Sequence, residues 1–375
     1  MNNRHAMKVI FDTAPLYWKF PSGISFLVER IFFELVSQNI RGVKYSGINM
    51  GARFISKIIY RPFKSFWFPS KVLMPSLKFD YLKFFFKCDV FIATNHFIPE
   101  TSAIKLYYLY DCIKLKHPNE MNVCYDVEYN RVIKLFNKSD FVLTCSESSK
   151  KDIVDYFGDS KKIFVCPPGI DHQFYESENK KSSYLEFSEF DCKRPFIYTC
   201  GVIQLRKRFD WSAWLVNELK DIDTLVISGA IDKDGESYLN EIRKKFKATN
   251  IVHLGLVSRC YQKILYKECS LFIFPSLYEG FGMPVVEAMA VGGLVLCSDT
   301  SSMSEIVESE DQKFIVDSKK DFYNKASYLT GLTDDKIKNL KKTNKLNSQK
   351  YTANNVAGIF KKIIEKIEKN NNYNL

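Results

Sequence analysis

Predicted strands and helices alternate twice along this chain, and this repetition limits the folds that it can adopt. The first series of apolar strands comprises Met7–Asp12, Val90–Ala93, Ala103–Leu109, Phe141–Cys145 and Ile163–Cys166. The second series comprises Phe196–Cys200, Thr224–Ser228, Ile251–Leu254, Ser270–Pro275 and Leu294–Ser298. Alternation of buried strands with helices favours a parallel sheet covered by helices on both faces. We therefore predict an α/β protein with two Rossmann-like domains that face a central cleft.

The predicted domain boundary lies in the polar stretch Glu176–Lys193, which is rich in Ser, Glu and Lys. We assign residues 1–180 to the N-terminal domain, 181–193 to a linker and 194–353 to the C-terminal domain. In residues 354–370, apolar side chains recur at the spacing of one helix face. Residues 354–375 are therefore predicted to form a helix that packs back toward the N-terminal domain.

The composition indicates an ordinary globular chain. Of its 375 residues, 46% are hydrophobic and 26% are charged, as in average globular domains. No apolar run approaches the ~20 residues of a membrane-spanning helix, and the N-terminus has no signal-peptide pattern. The ten cysteines are scattered singly, without Cys-x-x-Cys pairs or zinc-binding spacing. We therefore expect free thiols in a reducing cytoplasm.

The net charge of +11 suggests an anionic partner, either nucleic acid, anionic lipid or a phosphorylated small molecule. Residues 53–87 contain eight basic side chains against one acid, Asp80, with aromatic residues between them. Cations mixed with aromatics suit a peripheral contact with an anionic membrane. Alternatively, the aromatics fill the core and the lysines only solubilise it. We expect no nucleic-acid partner, because the sequence carries no recognised nucleic-acid motif.

The segment Phe274–Ala290 carries the strongest chemical signal. A predicted strand is followed by a glycine-containing loop and then by a helix, which places backbone N–H groups and a positive helix end where a phosphate can bind. Gly280 and Gly282 let a ligand approach the backbone closely. Glu279 and Glu287 cannot pair with phosphates, so sugar hydroxyls are their expected partners. The alternative is a generic strand–turn–helix with two solvated glutamates.

This segment resembles the signature of the family 4 retaining glycosyltransferases, which have the GT-B fold. The similarity rests on Glu279 and Glu287 with seven residues between them, and on the intervening Gly-Phe-Gly and Pro284. It implies that Glu279 contacts the donor sugar and that Glu287 binds the ribose of the nucleotide. The donor-binding residues that it implies in this segment are Gly280, Phe281, Gly282, Met283 and Glu287.

The segment Gly201–Arg208 resembles the family element in which two cations hold the donor diphosphate. The resemblance gives this role to Arg206 and Lys207 and a donor contact to Gly201. Two positive charges beside a helix start can stabilise a leaving diphosphate in place of a metal. We therefore expect a nucleotide-diphosphate sugar as co-substrate, with no metal and no cofactor. A lone Arg-Lys-Arg run is usually a solvated patch, but here it follows a strand–glycine turn.

Other resemblances are weaker and extend over nearly the whole chain. Val257 lies in a loop similar to the one whose backbone meets the nucleotide base in the family. Gly23 lies in a segment similar to the glycine loop that closes over the diphosphate. The segments around Ser146 and Ser302 also match family elements, and we interpret both as structural.

The sequence departs from the family where many members carry His-Asp at the end of an N-domain strand, over the reacting sugar. Here Tyr110 replaces the histidine and Asp111 is retained, which makes Asp111 a predicted catalytic residue with Glu279, Arg206 and Lys207. Tyr110 and His96 are the two candidates for the sugar or acceptor contact.

Together these resemblances imply a retaining hexosyltransferase with the acceptor on residues 1–180 and the donor on residues 194–353. The N-domain start is most similar to bacterial O-antigen or capsule mannosyltransferases, so GDP-mannose is the first expected donor. The expected acceptor is a hydroxyl of a growing surface polysaccharide or lipid-linked glycan, on the inner face of the cytoplasmic membrane. The alternatives are a sugar-nucleotide epimerase of the same architecture and a basic nucleic-acid-binding protein.

Overall fold

The computed structural model describes residues 7–12, 43–49, 65–67, 88–94, 97–159, 162–176, 194–232 and 234–372. The chain forms two compact units. The first comprises Met1–Leu115, Val123–Gly169 and Ala353–Leu375, and the second comprises Lys116–Asn122 and Ile170–Thr352.

The first unit contains a parallel sheet of seven strands in the order β3-β2-β1-β4-β5-β6-β7. Its strands are β1 (Met7–Asp12), β2 (Val43–Asn49), β3 (Ser65–Trp67), β4 (Val90–Ala93), β5 (Ile104–Tyr108), β6 (Phe141–Thr144) and β7 (Ile163–Val165). The helices that follow are α1 (Ile113–Lys116), α2 (Tyr125–Lys138) and α3 (Glu147–Phe157). The strands β2 and β3 were not predicted.

Strand β4 shows why this sheet needs helices on both faces. All four of its residues are buried, and successive side chains of a strand point to opposite faces. Val90 and Ile92 pack with the C-terminal helix α12 (Ala353–Asn372), whereas Phe91 and Ala93 pack with α2 and α3. The C-terminal helix therefore completes the core of the first unit, as predicted.

The second unit contains a parallel sheet of six strands in the order β10-β9-β8-β11-β12-β13. Its strands are β8 (Phe196–Cys200), β9 (Thr224–Ser228), β10 (Asn250–His253), β11 (Leu271–Phe274), β12 (Val295–Ser298) and β13 (Lys313–Phe314). Its helices are α4 (His172–Glu176), α5 (Phe209–Glu218), α6 (Gly235–Lys245), α7 (Arg259–Glu268), α8 (Met283–Ala290), α9 (Met303–Ile306), α10 (Lys319–Thr330) and α11 (Asp334–Ser348). This strand order is that of a Rossmann fold.

The predicted α/β class and the Rossmann-like organisation are confirmed. The ten predicted strands are present, and each predicted end lies within one residue of the observed one. The linker 181–193 and nearly all of the basic segment 53–87 lie outside the described residues. In the part of the chain that the structure describes, every helix is too short or too polar to cross a bilayer.

Candidate active site

The candidate site lies where the strand order of the second sheet reverses. Strands β8 and β11 are neighbours in the sheet, although two strands separate them along the chain. The connections from these two strands run in opposite directions along the sheet, which leaves a crevice at their carboxyl ends. The cationic segment Arg206–Lys207 follows β8, and the loop that carries Glu279 follows β11. The fold therefore brings together two motifs about 70 residues apart in sequence.

Glu279 is held between two cations. Its Oε1 accepts a hydrogen bond from Arg206 Nη1 at 2.8 Å and another from the ammonium of Lys207. The three side chains are between 9% and 14% exposed, so water screens these charges little. The Lys207 ammonium also lies 4.4 Å from the ring centre of Phe274. Two positive charges and one negative charge leave an excess of one positive charge at the site.

Burial and the neighbouring charges shift the pKa values of Glu279 and Lys207 in opposite directions. Burial alone would raise the pKa of Glu279, but the charges of Arg206 and Lys207 outweigh it and lower the pKa to about 2. Burial also lowers the pKa of Lys207, and the neighbouring Glu279 carboxylate opposes this shift. Glu279 is therefore an acceptor-only carboxylate at neutral pH.

The loop around Glu279 is fixed by two serines that precede α9. The Ser301 hydroxyl accepts a hydrogen bond from the Glu279 N–H at 3.0 Å. The Ser302 hydroxyl lies 3.0 Å from the carbonyl of Glu279 and 2.6 Å from that of Phe281. Phe281 is buried against Tyr351, with ring centres 5.1 Å apart. These contacts hold the loop backbone in one conformation.

Helix α8 begins directly after this loop. Its N-cap is Gly282, in a left-handed conformation (φ 100°) that disfavours other residues. Met283 is its first residue and Pro284 its second, so the positive helix end lies in the same loop as Glu279 and Gly280. Glu287 is buried one turn further on, and its Oε2 accepts a hydrogen bond from the Tyr266 hydroxyl at 3.3 Å.

Comparison with known proteins shows which family this part of the chain resembles. Residues 181–351 match the sequence model described as "Glycosyl transferases group 1". This part of the chain is similar to the group 1 glycosyl transferases. The matched region includes the Arg206–Lys207 segment and the Glu279–Glu287 motif.

Curated proteins similar to this chain include two kinds of mannosyltransferase from Escherichia coli. The serotype-specific mannosyltransferase WbdA is 25% identical over 197 residues, which are 50% of this chain and 24% of the relative. The O-antigen chain mannosyltransferase B is 34% identical over 83 residues, or 22% of each chain. The matches thus span about a quarter of the length of these relatives.

Solved structures share the fold over nearly the whole chain. A sucrose-phosphate synthase from Thermosynechococcus elongatus aligns with a TM-score of 0.75 at 12% identity, over 98% of this chain and 100% of that chain. HepE from Anabaena, solved in complex with UDP and glucose, aligns with a TM-score of 0.69 at 16% identity, over 97% and 100%. The predicted GT-B fold is confirmed by these alignments.

Glycines follow two central strands of the second unit at their carboxyl ends. Gly201 follows β8, and a Cβ built there would lie 3.2 Å from Lys207 Cε. Gly229 follows β9 (φ 142°), and a Cβ built there would lie 1.9 Å from the Gly201 carbonyl oxygen. Only glycine permits this close approach of the two backbones. Val257 lies in the loop after β10, and its predicted contact with the base stays a prediction.

The remaining candidates belong to the first unit or lie outside the described residues. The Tyr110 hydroxyl donates to the carbonyl of Thr94 at 3.0 Å. Asp111 Oδ1 accepts a hydrogen bond from the Ile113 N–H at 3.0 Å, at the start of α1. Gly23 and His96 lie outside the described residues, so their predicted roles stay predictions.

Sequence reasoning missed two residues beneath the site, Gln262 and Tyr266 on α7. The Gln262 amide donates to the Tyr266 hydroxyl at 3.1 Å, and this hydroxyl contacts Glu287. In the sequence, both residues look like ordinary members of an amphipathic helix. The four-residue spacing places them on one face, but only the fold shows that this face lies against Glu287.

Proposed function

We propose that this protein is a retaining glycosyltransferase that moves a hexose from a nucleotide-diphosphate donor to a glycan hydroxyl. The observation that carries the proposal is the position of Glu279, held by Arg206 and Lys207 in the loop that opens α8. The cations and the helix end suit a diphosphate, and the carboxylate suits sugar hydroxyls. The similarity of residues 181–351 to the group 1 glycosyl transferases supports the same conclusion.

In this mechanism, the site stabilises the negative charge that develops on the leaving diphosphate. The bond between the sugar C1 and the diphosphate oxygen breaks, and a bond from C1 to the acceptor oxygen forms on the same face. The acceptor proton passes to an oxygen of the leaving diphosphate. Arg206, Lys207 and the amides of Gly282 and Met283 offset the negative charge that develops there. We propose that this reaction needs no metal, because the cations supply the charge that a metal would provide.

The donor proposed is GDP-mannose, because two of the relatives are named as mannosyltransferases. A panel of GDP-, UDP-, ADP- and dTDP-sugars tests this choice through thermal stabilisation of the protein. Transfer to an acceptor in a membrane extract is then measured with each donor that binds. Stabilisation by GDP-mannose and transfer with retained anomeric configuration are expected. Failure of every nucleotide sugar to bind contradicts the proposed function.

We further propose that the acceptor is a growing surface polysaccharide or lipid-linked glycan at the inner face of the cytoplasmic membrane. The support is the charge of residues 53–87, eight basic side chains against one acid, together with the name of the O-antigen relative. Flotation with anionic liposomes tests the membrane contact. Binding that weakens as salt increases is expected, and absence of binding at low salt contradicts it.

A further inference from the structure

A buried polar cluster that includes Glu287 lies beneath the candidate donor site, and its Tyr266 hydroxyl has no role in the proposed reaction. It is formed by Cys200 at the end of β8, by Gln262 and Tyr266 on α7, and by Glu287 on α8. Tyr266 is fully buried and Glu287 is 9% exposed. Buried polar groups persist where hydrogen bonds compensate for lost hydration, so the partners within this cluster fix its geometry.

The direction of the hydrogen bonds follows from the chemistry of the groups. Burial raises the pKa of Tyr266 well above its ordinary value, so the hydroxyl keeps its single proton. A carboxylate can only accept, and the proton of Tyr266 therefore points to Glu287 Oε2, 3.3 Å away. Gln262 Nε2 donates to the same hydroxyl oxygen at 3.1 Å, which leaves the hydroxyl proton for Glu287.

We propose that Tyr266 is a positioning residue, which holds the Glu287 carboxylate in the orientation that binds the ribose hydroxyls of the donor. This inference rests on the proposed function and on the ribose contact that the family resemblance implies for Glu287. The side chain of Tyr266 is fixed by Tyr198 and Phe272, whose ring centres lie 5.3 Å and 5.0 Å away. The hydroxyl is therefore a fixed donor that orients the Glu287 carboxylate.

The test compares two tyrosines of the second unit whose hydroxyls each donate to a carboxylate. Tyr266→Phe removes the hydroxyl that contacts Glu287. Tyr238→Phe on α6 is the matched control, because its hydroxyl donates to Asp210 Oδ1 at 2.6 Å and not to Glu287. Dissociation constants are measured by calorimetry for GDP and for 2′,3′-dideoxy-GDP with each variant. Melting temperatures show whether each variant is folded.

Tyr266→Phe is expected to weaken GDP binding about tenfold, since a hydrogen bond to a charged group is lost. The affinity of the Tyr266→Phe variant for dideoxy-GDP should change less than about twofold, because that ligand has no ribose hydroxyl for Glu287 to bind. Tyr238→Phe should leave both constants near those of the unaltered protein. In a Glu287→Gln background, Tyr266→Phe should have no further effect on the affinity for GDP.

Steady-state kinetics with the nucleotide-sugar donor give a second measurement. For Tyr266→Phe, KM should rise while kcat stays unchanged, as for a contact made equally in the ground and transition states.

The inference is overturned if Tyr266→Phe weakens the binding of GDP and of dideoxy-GDP equally, or if Tyr238→Phe has the same effect as Tyr266→Phe. If Tyr266→Phe does not fold, Gln262→Leu tests the same cluster, with a smaller selective loss of GDP affinity expected and an unselective loss overturning the inference. If the unaltered protein binds GDP and dideoxy-GDP equally, the ribose role of Glu287 fails while the proposed function stands. If it binds no nucleotide or nucleotide sugar, the proposed function fails as well.

Discussion

At the scale of single residues, Glu279 has two roles that conflict with each other. Its carboxylate holds Arg206 and Lys207 in place, and in the proposed reaction it also contacts the sugar. An incoming diphosphate competes with this carboxylate for the same two cations. Glu279 therefore positions the two cations before the diphosphate binds. Its ion pairs with Arg206 and Lys207 must then weaken when the diphosphate binds.

Glu279→Gln should separate these two tasks. The amide keeps the shape but removes the negative charge, so both cations become available to phosphate oxygens. We expect affinity for GDP to be retained or increased, while turnover falls by ~10² or more because the sugar contact is weakened. Calorimetry and an initial-rate assay measure the two effects. Parallel loss of binding and turnover would contradict the division of roles.

Replacing either cation should reduce turnover strongly. Arg206→Ala and Lys207→Ala are each expected to lower kcat by ~10²–10⁴, as for other fixed groups that stabilise developing charge. Arg208→Gln is the control, because Arg208 pairs with Asp317 and stacks 4.4 Å from the Trp211 ring centre. Near-normal kcat in both alanine variants would contradict the proposed role of Arg206 and Lys207 in stabilising the leaving diphosphate.

The buried ion pairs also predict how stability depends on pH. The pKa of Glu279 is lowered from 4.5 to about 2 in the folded protein. The ionised carboxylate therefore stabilises the fold above pH 4.5, and this contribution is lost as the pH falls toward 2. The difference in unfolding free energy between the unaltered protein and Glu279→Gln should shrink over that interval. Denaturant titrations at several pH values measure it, and a constant difference contradicts the assignment.

At the scale of elements, the contact between the ends of β8 and β9 needs glycine. Gly229→Ala would place a methyl group against the Gly201 carbonyl, and backbone atoms cannot move aside easily. Gly255→Ala is a matched control, because that residue also has positive φ (65°) but open space around it. We expect ~1–2 kcal/mol of destabilisation for Gly255→Ala and clearly more for Gly229→Ala. Melting temperatures and GDP affinity test this, and equal effects would contradict it.

The elements also show how far the sequence could predict this protein. Strands such as β8, β9 and β11 are short, mostly apolar runs, which is why they were predicted, and every residue in them is buried. The motif around Glu279 was predicted because loop and helix residues are contiguous in sequence. The contact between α7 and Glu287 was not, because Tyr266 looks like any apolar helix residue until α7 and α8 are placed side by side.

At the scale of the whole molecule, the chain leaves the first unit, forms the second and returns through α12. Phe360 on α12 is fully buried, with its ring centre 5.8 Å from that of Phe11. Phe360→Ala should destabilise the first unit by ~3–5 kcal/mol, because a large cavity is left beside β1. The neighbouring Lys361→Ala is the exposed control, expected within ~0.5 kcal/mol of the unaltered protein. Hydrogen exchange of the β1 and β4 amides measures the effect, and equal protection in both variants contradicts it.

The return of the chain through α12 also bears on folding during translation. The ribosome releases all of the second unit before the residues that cover one face of the first sheet. Until α12 emerges, Val9, Val90 and Ile92 lack the helix that buries them. We therefore expect the second unit to reach its native state while the first still exposes apolar strands that chaperones can bind.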